Sequence, residues 1–159
     1  MNVSFIETIL RDTDADRVRF QSYRAFLLLW LLFEAWLTEL SGAETARGKI
    51  DWFRNNDNYF KDCWRDIITQ GYVNAIAQKC PIPDKRFNPP RNPVTITDPN
   101  NLDLAELVEI IYRIRCNLIH GHEDVNDSDN LNLYSACGTI LYKWLKWTSH
   151  IAWKRSLIR

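Results

Sequence analysis

The residues best suited to chemistry lie together in one short segment, residues 111–122, which reads I-Y-R-I-R-C-N-L-I-H-G-H. Arg115 and His120 are five positions apart in this segment, and Cys116 and Asn117 lie between them. Histidine exchanges a proton close to neutral pH, whereas arginine keeps a fixed positive charge. A pair of this kind could combine proton transfer with the binding of an anion.

The element that must position this pair is a helix. Its apolar residues recur every three or four positions, which predicts a helix that starts near residue 102: Leu104, Leu107, Val108, Ile111, Ile114 and Leu118. Gly121 suits the left-handed conformation that often follows a helix, so His120 is predicted to project from the helix end. Five residues rotate a helix by about 140°. Arg115 and His120 therefore act together only if the last turn is distorted or if a second copy supplies the partner.

Simpler roles are open for the same residues. Arg115 could lie at the helix edge with its charge in solvent, and His120 could interact with the helix end. A metal site is a further alternative, because several potential ligands are close in sequence: Cys116, His120, His122, Glu123 and Asp124. Their spacing differs from that of zinc sites, and residues 124–130 lack the glycine and terminal glutamate of a calcium loop. No metal ligand is therefore predicted.

The composition predicts one domain that spans residues 1–159 and is rich enough in hydrophobic residues, at 46%, to bury a real core. Its formal net charge is zero, so a surface that binds nucleic acid must be a local basic patch. The four cysteines form no close pair and no secretory signal is recognised, which predicts free thiols in the cytoplasm. Glu34 ends the apolar run 25–33 well before the roughly 20 residues that a membrane span needs.

Helical patterns cover most of the chain, at about residues 3–10, 15–40, 45–54, 59–79, 102–120 and 131–157. All six prolines lie between Cys80 and Asn101, which predicts a long proline-rich loop insertion, residues 80–101, without regular structure. Residues 94–97 are the one candidate strand. The sequence therefore predicts an all-α bundle of five or six helices. Lys85, Arg86 and Arg91 in the loop are candidates for binding a substrate.

Two segments resemble the HEPN superfamily. R-C-N-L-I-H-G, residues 115–121, is similar to its Arg-x4-His motif followed by glycine, and F-L-L-L-W-L-L-F-E-A, residues 26–35, is similar to the pattern of its early helix. They occur in the order found in that superfamily, and the resemblance covers about residues 17–147. Many members are metal-independent endoribonucleases of toxin–antitoxin and phage-defence systems. The resemblance implies a HEPN-like helical bundle, an RNA substrate and no metal or cofactor.

The resemblance also implies roles for the two motif residues. His120 would take a proton from a ribose 2′-OH or donate one to the leaving 5′-oxygen, and Arg115 would stabilise the charge on the phosphate. The product would end in a 2′,3′-cyclic phosphate. HEPN sites are usually built where two protomers meet, so a homodimer is expected, together with a possible antitoxin or activator protein.

Three positions near the motif are less regular. Cys116 stands where the superfamily often has a polar residue, and the neighbouring Asn117 could orient the histidine or the phosphate, or could bond the helix end. Glu34 lies in an apolar run and needs a partner, for which Arg115 is the candidate, in a pair that could be purely structural. His122 replaces the tyrosine that one toxin subgroup uses for its inhibition. It could contact substrate or only solvate the turn, and Cys116 is the other candidate contact.

Two alternatives to an endoribonuclease stay open. A non-catalytic HEPN-like module could use Arg115 and His120 to bind RNA, a nucleotide or a partner protein. A helical protein outside the superfamily could instead use a tryptophan-rich surface for interaction, since Trp147 and Trp153 lie among lysines and arginines of the last helix. Only the last alternative predicts that His120→Ala leaves the function intact.

Overall fold

The structure is a computed structural model that describes residues 23–56, 71–98, 100, 103–121, 124–125 and 127–156, with side chains as far as Trp147. The described helices are α1 (Tyr23–Ser41), α2 (Ala46–Asn55), α3 (Tyr72–Ala77), α4 (Leu104–Ile119) and α5 (Ser128–Ser156). Two short strands, β1 (Ile82–Asp84) and β2 (Arg91–Val94), lie between α3 and α4. The helix predicted at 3–10, and parts of those at 15–40 and 59–79, fall outside the described residues.

Helix α1 is the central element of the core. Its inner side chains are almost completely buried, and it packs along α5, where Phe26 stacks on Tyr134 at 5.9 Å and Phe33 on Trp144 at 5.4 Å between ring centroids. The helix ends at Ser41 because Gly42 takes a φ of 66°, in the left-handed region, and donates its N–H to Thr38 O at 3.0 Å. The predicted stop at these residues is confirmed.

Helix α2 crosses from α1 to α4 and contacts both. Thr45 caps its first turn, since the Thr45 hydroxyl accepts a hydrogen bond from Gly48 N at 3.0 Å. Phe53 anchors the helix in the core, edge-on to Trp144 with ring centroids 4.9 Å apart. The predicted helix at 45–54 is confirmed to within a residue.

The prediction of one helix over residues 59–79 is wrong at Gly71. Gly71 has a φ of 72°, which an α-helix cannot contain, and α3 starts after it as a separate six-residue helix. The sequence pattern shows the glycine but not its conformation, because glycine is also tolerated inside helices at a modest cost.

The proline-rich loop was expected to lack regular structure, and this expectation is also wrong. Strands β1 and β2 pair antiparallel, with Ile82 opposite Val94 and Asp84 opposite Arg91, and both strands contact α4. Of the predicted strand 94–97, only its first residue belongs to β2. Pro83 and Pro93 obscure the pattern, yet a two-stranded sheet has only edge strands, where proline is tolerated.

Helix α4 carries the motif and is buried on nearly every side. Asp103 caps its start by accepting a hydrogen bond from Ala105 N at 2.8 Å. The elements thus form an all-α core with one small hairpin. No single helix in the described ranges is long and apolar enough to cross a membrane; α1 and α2 meet such a criterion only as a pair bent by 67°. Cys80, Cys116 and Cys137 are free thiols, whereas Cys63 is outside the description.

Candidate functional site

The motif helix ends where the sequence predicts. His120 is the C-cap of α4, and its N–H still bonds Cys116 O at 3.1 Å, as in a regular helix. Gly121 follows with a φ of 69° and donates to Leu118 O at 3.1 Å. The His120 side chain is exposed at this end. Because the His120 N–H keeps its helical hydrogen bond to Cys116 O, ideal helix geometry still separates Arg115 and His120 by about 140° within one chain.

Arg115 faces α1 and contacts the residue predicted as its partner. Its Nη2 lies 3.5 Å from Glu34 Oε2, and both side chains are 18% exposed. The guanidinium carbon also lies 5.9 Å from the ring centroid of Trp30, within the range of a cation–π contact. The predicted pair of Glu34 with Arg115 is confirmed, and it explains why a carboxylate is tolerated in this apolar helix.

The Glu34 carboxylate has two further partners. Trp30 Nε1 donates to Oε2 at 2.8 Å, and Lys49 Nζ of α2 lies 3.3 Å from Oε1. Sequence reasoning missed Lys49, although it precedes the buried Ile50 in a short amphipathic helix. One carboxylate thus faces two cations, which leaves an excess of one positive charge around Glu34.

The hydrogen-bond donors of Arg115 are only weakly engaged. Nη1 meets the Cys116 sulfur at 4.0 Å, and a thiol is a weak acceptor. Nε is buried and has no hydrogen-bond partner among the described residues. The contact of Nη2 with Glu34 is an ion pair at 3.5 Å, too long for a strong hydrogen bond. The side chain is therefore held in place with weak hydrogen bonds, and its 18% exposure leaves part of it within reach of an anion.

Cys116 lies below the surface of this region. It is 1% exposed and lies next to Tyr112, one turn earlier in α4. Burial, and then the neighbouring Cys116 thiol, raise the pKa of the Tyr112 hydroxyl, while Arg86 and Arg115 act in the opposite direction. Both cations are therefore near Tyr112 and near the buried Cys116.

Asn117 is fully buried and fastens the hairpin to the motif helix. Its Oδ1 accepts a hydrogen bond from Lys85 N at 3.1 Å, and its Nδ2 donates to Pro83 O at 3.0 Å. One of the two expectations for Asn117 was a hydrogen bond to the backbone at the helix end. Its side chain does bond backbone atoms, but they belong to the hairpin. A role in orienting His120 or a phosphate stays a prediction.

The hairpin brings one of its predicted cations, Arg86, close to α4. Arg86 makes two hydrogen bonds to Asp84, from Nε at 2.8 Å and from Nη2 at 2.7 Å. The buried Asp84 also lies 2.8 Å from Arg113 Nη1 of α4. These hydrogen bonds from Arg86, and then the charge of Arg113, lower the pKa of the Asp84 carboxyl to about 2. Lys85 is half-buried at the Asn117 contact, and Arg91 lies over the Phe87 ring of the hairpin at 5.0 Å.

A second cluster was not predicted from the sequence. Glu109 of α4 accepts two hydrogen bonds from Arg47 Nη1 of α2, at 2.8 and 2.9 Å. Arg54 Nη1 lies 3.4 Å from it and Arg113 Nη2 lies 3.8 Å from it. Arg47 and Glu109 are 62 positions apart, so no local pattern links them.

His122, a predicted substrate contact, lies outside the described residues, as does Glu123. The part of the chain that is described has no cluster of three metal-ligating side chains. An open groove of about 630 Å³ lies elsewhere, between α3 and α5, with Tyr72, Lys79 and Asp129 in its wall. None of the predicted site residues lines this groove.

Comparisons with models of known protein families, with curated proteins and with solved structures give no match to this chain. The class that the structure defines is a mainly helical protein with one small hairpin. Its candidate site is a half-buried arginine, held by a carboxylate, one turn before the end of a helix that is capped by an exposed histidine.

Proposed function

We propose that this protein is a metal-independent endoribonuclease of HEPN type, with a HEPN-like helical bundle as its fold. The observation that carries the proposal is the environment of Arg115. Glu34 and Trp30 hold its guanidinium one turn before the end of α4, where the side chain is 18% exposed and only weakly hydrogen-bonded. A fixed, partly exposed cation is suited to a phosphate group.

In the proposed reaction, His120 removes the proton of a ribose 2′-OH, and the 2′-oxygen attacks the adjacent phosphorus. The bond from phosphorus to the 5′-oxygen breaks, and that oxygen leaves with a proton donated by a second histidine or by water. The products are a 2′,3′-cyclic phosphate and a 5′-hydroxyl. Arg115 stabilises the negative charge that develops on the phosphate, and Glu34 and Lys49 position Arg115.

The proposed active form is a homodimer with a composite site. Within one chain Arg115 and His120 point about 140° apart, so a second copy would bring the missing partner. Leu31 precedes Glu34 by three residues and is 59% exposed, and Ile119 follows Arg115 by four and is 48% exposed. Exposed apolar side chains at these positions are suited to contact between two copies. The proposed setting is a cytoplasmic toxin or phage-defence effector controlled by an antitoxin or activator protein.

The test is cleavage of a mixed RNA substrate by purified protein in EDTA, with wild type beside His120→Ala and Arg115→Ala. We expect wild type to cleave and leave cyclic phosphate ends, and both variants to lose at least about 100-fold in rate, the usual range for an acid–base residue. Cleavage that persists in His120→Ala, or that stops in EDTA, would contradict the proposal.

The Glu34–Arg115 ion pair favours a second candidate, a non-catalytic HEPN-like module that binds RNA or a nucleotide. An arginine already paired with a carboxylate can bind an anion without supporting a reaction. This candidate predicts that wild type binds RNA but does not cleave it, and that Arg115→Ala weakens the binding.

A further inference from the structure

The arginine cluster on α2 and α4 has more positive charge than its carboxylates can balance. The side chain of Glu109 is 10% exposed, and its carboxylate pairs with three arginines, Arg47, Arg54 and Arg113. Asp51 shares Arg47, with Nη2 to Oδ1 at 2.7 Å, and Asp84 shares Arg113 with Arg86.

Counted together, four guanidiniums (Arg47, Arg54, Arg86 and Arg113) face three carboxylates (Asp51, Asp84 and Glu109). Among the described residues of this cluster one positive charge remains, in a protein with a formal net charge of zero. Arg54 is the least balanced of the four, because its contact with Glu109 is 3.4 Å long and that carboxylate already accepts two hydrogen bonds from Arg47.

Two arginines of the cluster are exposed to solvent, and the third is buried. Arg47 is 45% exposed and Arg54 is 41% exposed, so both can reach a ligand. Arg113 below them is 8% exposed, and its buried Nε has no hydrogen-bond partner among the described residues. Arg113 is therefore too buried to contact a ligand, and its contribution is positive charge next to the two exposed arginines.

The cluster continues into the region of Arg115. The guanidinium carbon of Arg47 lies 5.9 Å from the centroid of the Tyr112 ring. The Tyr112 ring lies 5.9 Å from that of Trp30, on which Arg115 also packs. Arg54 follows Arg47 by two turns of α2, about 10 Å along the helix, on the same side of it.

We propose that Arg47 and Arg54, supported by Arg113, form a second phosphate-binding site that holds the backbone of single-stranded RNA next to the Arg115 site. This inference rests on the proposed function, from which it takes RNA as the substrate. The planar donors of arginine match phosphate oxygens, and several positive charges along one surface suit a backbone that carries one negative charge per nucleotide. Glu109 positions the arginines and neutralises part of their charge.

The experiment measures binding of a fluorescent single-stranded 2′-O-methyl oligonucleotide, which has no free 2′-OH and cannot be cleaved by the proposed reaction. Wild type is compared with Arg54→Gln and with Lys79→Ala, a control two residues after the end of α3. Lys79 is 36% exposed and pairs with Asp129 at 2.7 Å, so its loss removes a similar charge and ion pair elsewhere. We expect Arg54→Gln to bind about fivefold more weakly and its salt slope to fall by about 0.7, and Lys79→Ala to match wild type.

A second variant tests the same site in the opposite direction. Glu109→Gln removes the carboxylate that limits the arginine charge, so we expect it to bind the oligonucleotide more tightly than wild type. Arg54→Gln is the variant that must fold, and it gives up one long ion pair of a half-exposed side chain, so its melting temperature should stay close to that of wild type.

The outcomes separate this site from the proposed catalysis. Weaker binding by Arg54→Gln with unchanged binding by His120→Ala supports the site, whether or not RNA is cleaved. Equal binding by wild type and Arg54→Gln, equal losses in Arg54→Gln and Lys79→Ala, or no binding by wild type would each overturn it, even if the protein cleaves RNA.

Discussion

The ion pairs of Asp84 should make the free energy of unfolding depend on pH, and the substitution Asp84→Asn should remove this dependence. The Asp84 carboxyl has a pKa of about 2 in place of the ordinary 3.8, because Arg86 donates two hydrogen bonds to it and Arg113 adds its charge. This lowering corresponds to about 2 kcal/mol of stability at pH 7. The carboxyl is buried at 3% exposure, so solvent screening reduces this value little.

The sign of the effect follows from the direction of the change. A carboxyl whose pKa is lowered by folding stabilises the native state above its unfolded pKa, and this contribution is lost as the pH falls through the folded pKa. The Asp84 contribution should therefore decrease to roughly half of its value at pH 3 and should be nearly lost at pH 2. Asp84→Asn removes the ionisation and should be about 2 kcal/mol less stable than wild type at pH 7.

The assay is urea unfolding followed by circular dichroism at pH 7, 4 and 3, with wild type beside Asp84→Asn. The quantity of interest is the difference between the two free energies of unfolding, since other carboxyl groups lower both in acid. Asp129→Asn is the matched control, because its carboxylate pairs with Lys79 but is 66% exposed and should contribute less than about 0.5 kcal/mol. A difference between Asp84→Asn and wild type that stays constant from pH 7 to pH 3 would refute the reasoning.

Three further predictions concern the neighbouring contacts. Lys49→Met and Glu34→Gln should show a coupling of about 1 kcal/mol in a double-mutant cycle of urea unfolding, because the two partly buried groups contact each other; additive effects would contradict this. Asn117→Ala should cost about 2–4 kcal/mol through two lost backbone hydrogen bonds and should make the hairpin more sensitive to trypsin, and an unchanged digestion rate would argue against its fastening role. His120→Ala should change the melting temperature by less than about 2 °C, since its side chain is exposed at a helix end, and a larger loss would indicate a structural role.

Features governed by local chemistry could be predicted from the sequence. Gly121 marks the end of α4 because a left-handed residue is favoured there, and the Ser41-Gly42 stop follows the same rule. The partner of Glu34 could be predicted because a carboxylate in an apolar helix must meet a cation, and Arg115 lies beside the buried stripe of its own helix.

Features that depend on distant packing could not be predicted. Lys49 joins Glu34 only because α2 crosses α1, and Arg47 meets Glu109 only because the same helix also crosses α4. The hairpin was missed because it is stabilised by contact with α4, against which Ile82 and Asp84 are buried. No sequence pattern within the segment shows this contact. The catalytic roles of His120 and Arg115, and the binding roles of Lys85, Arg86 and Arg91, stay predictions, and His122 lies outside the described residues.

The two attachments of the hairpin to α4, through Asn117 and through the Asp84–Arg113 pair, have a consequence for binding thermodynamics. A loop that becomes ordered only when a ligand arrives loses conformational entropy, and this loss weakens the affinity. The backbone at Lys85 and Arg86 is already fixed, and the Arg86 side chain is already immobilised on Asp84. A ligand that binds this surface would therefore meet a preorganised backbone. Mutations that release the hairpin from α4 should weaken the binding of that ligand through entropy, even where every charged side chain is retained.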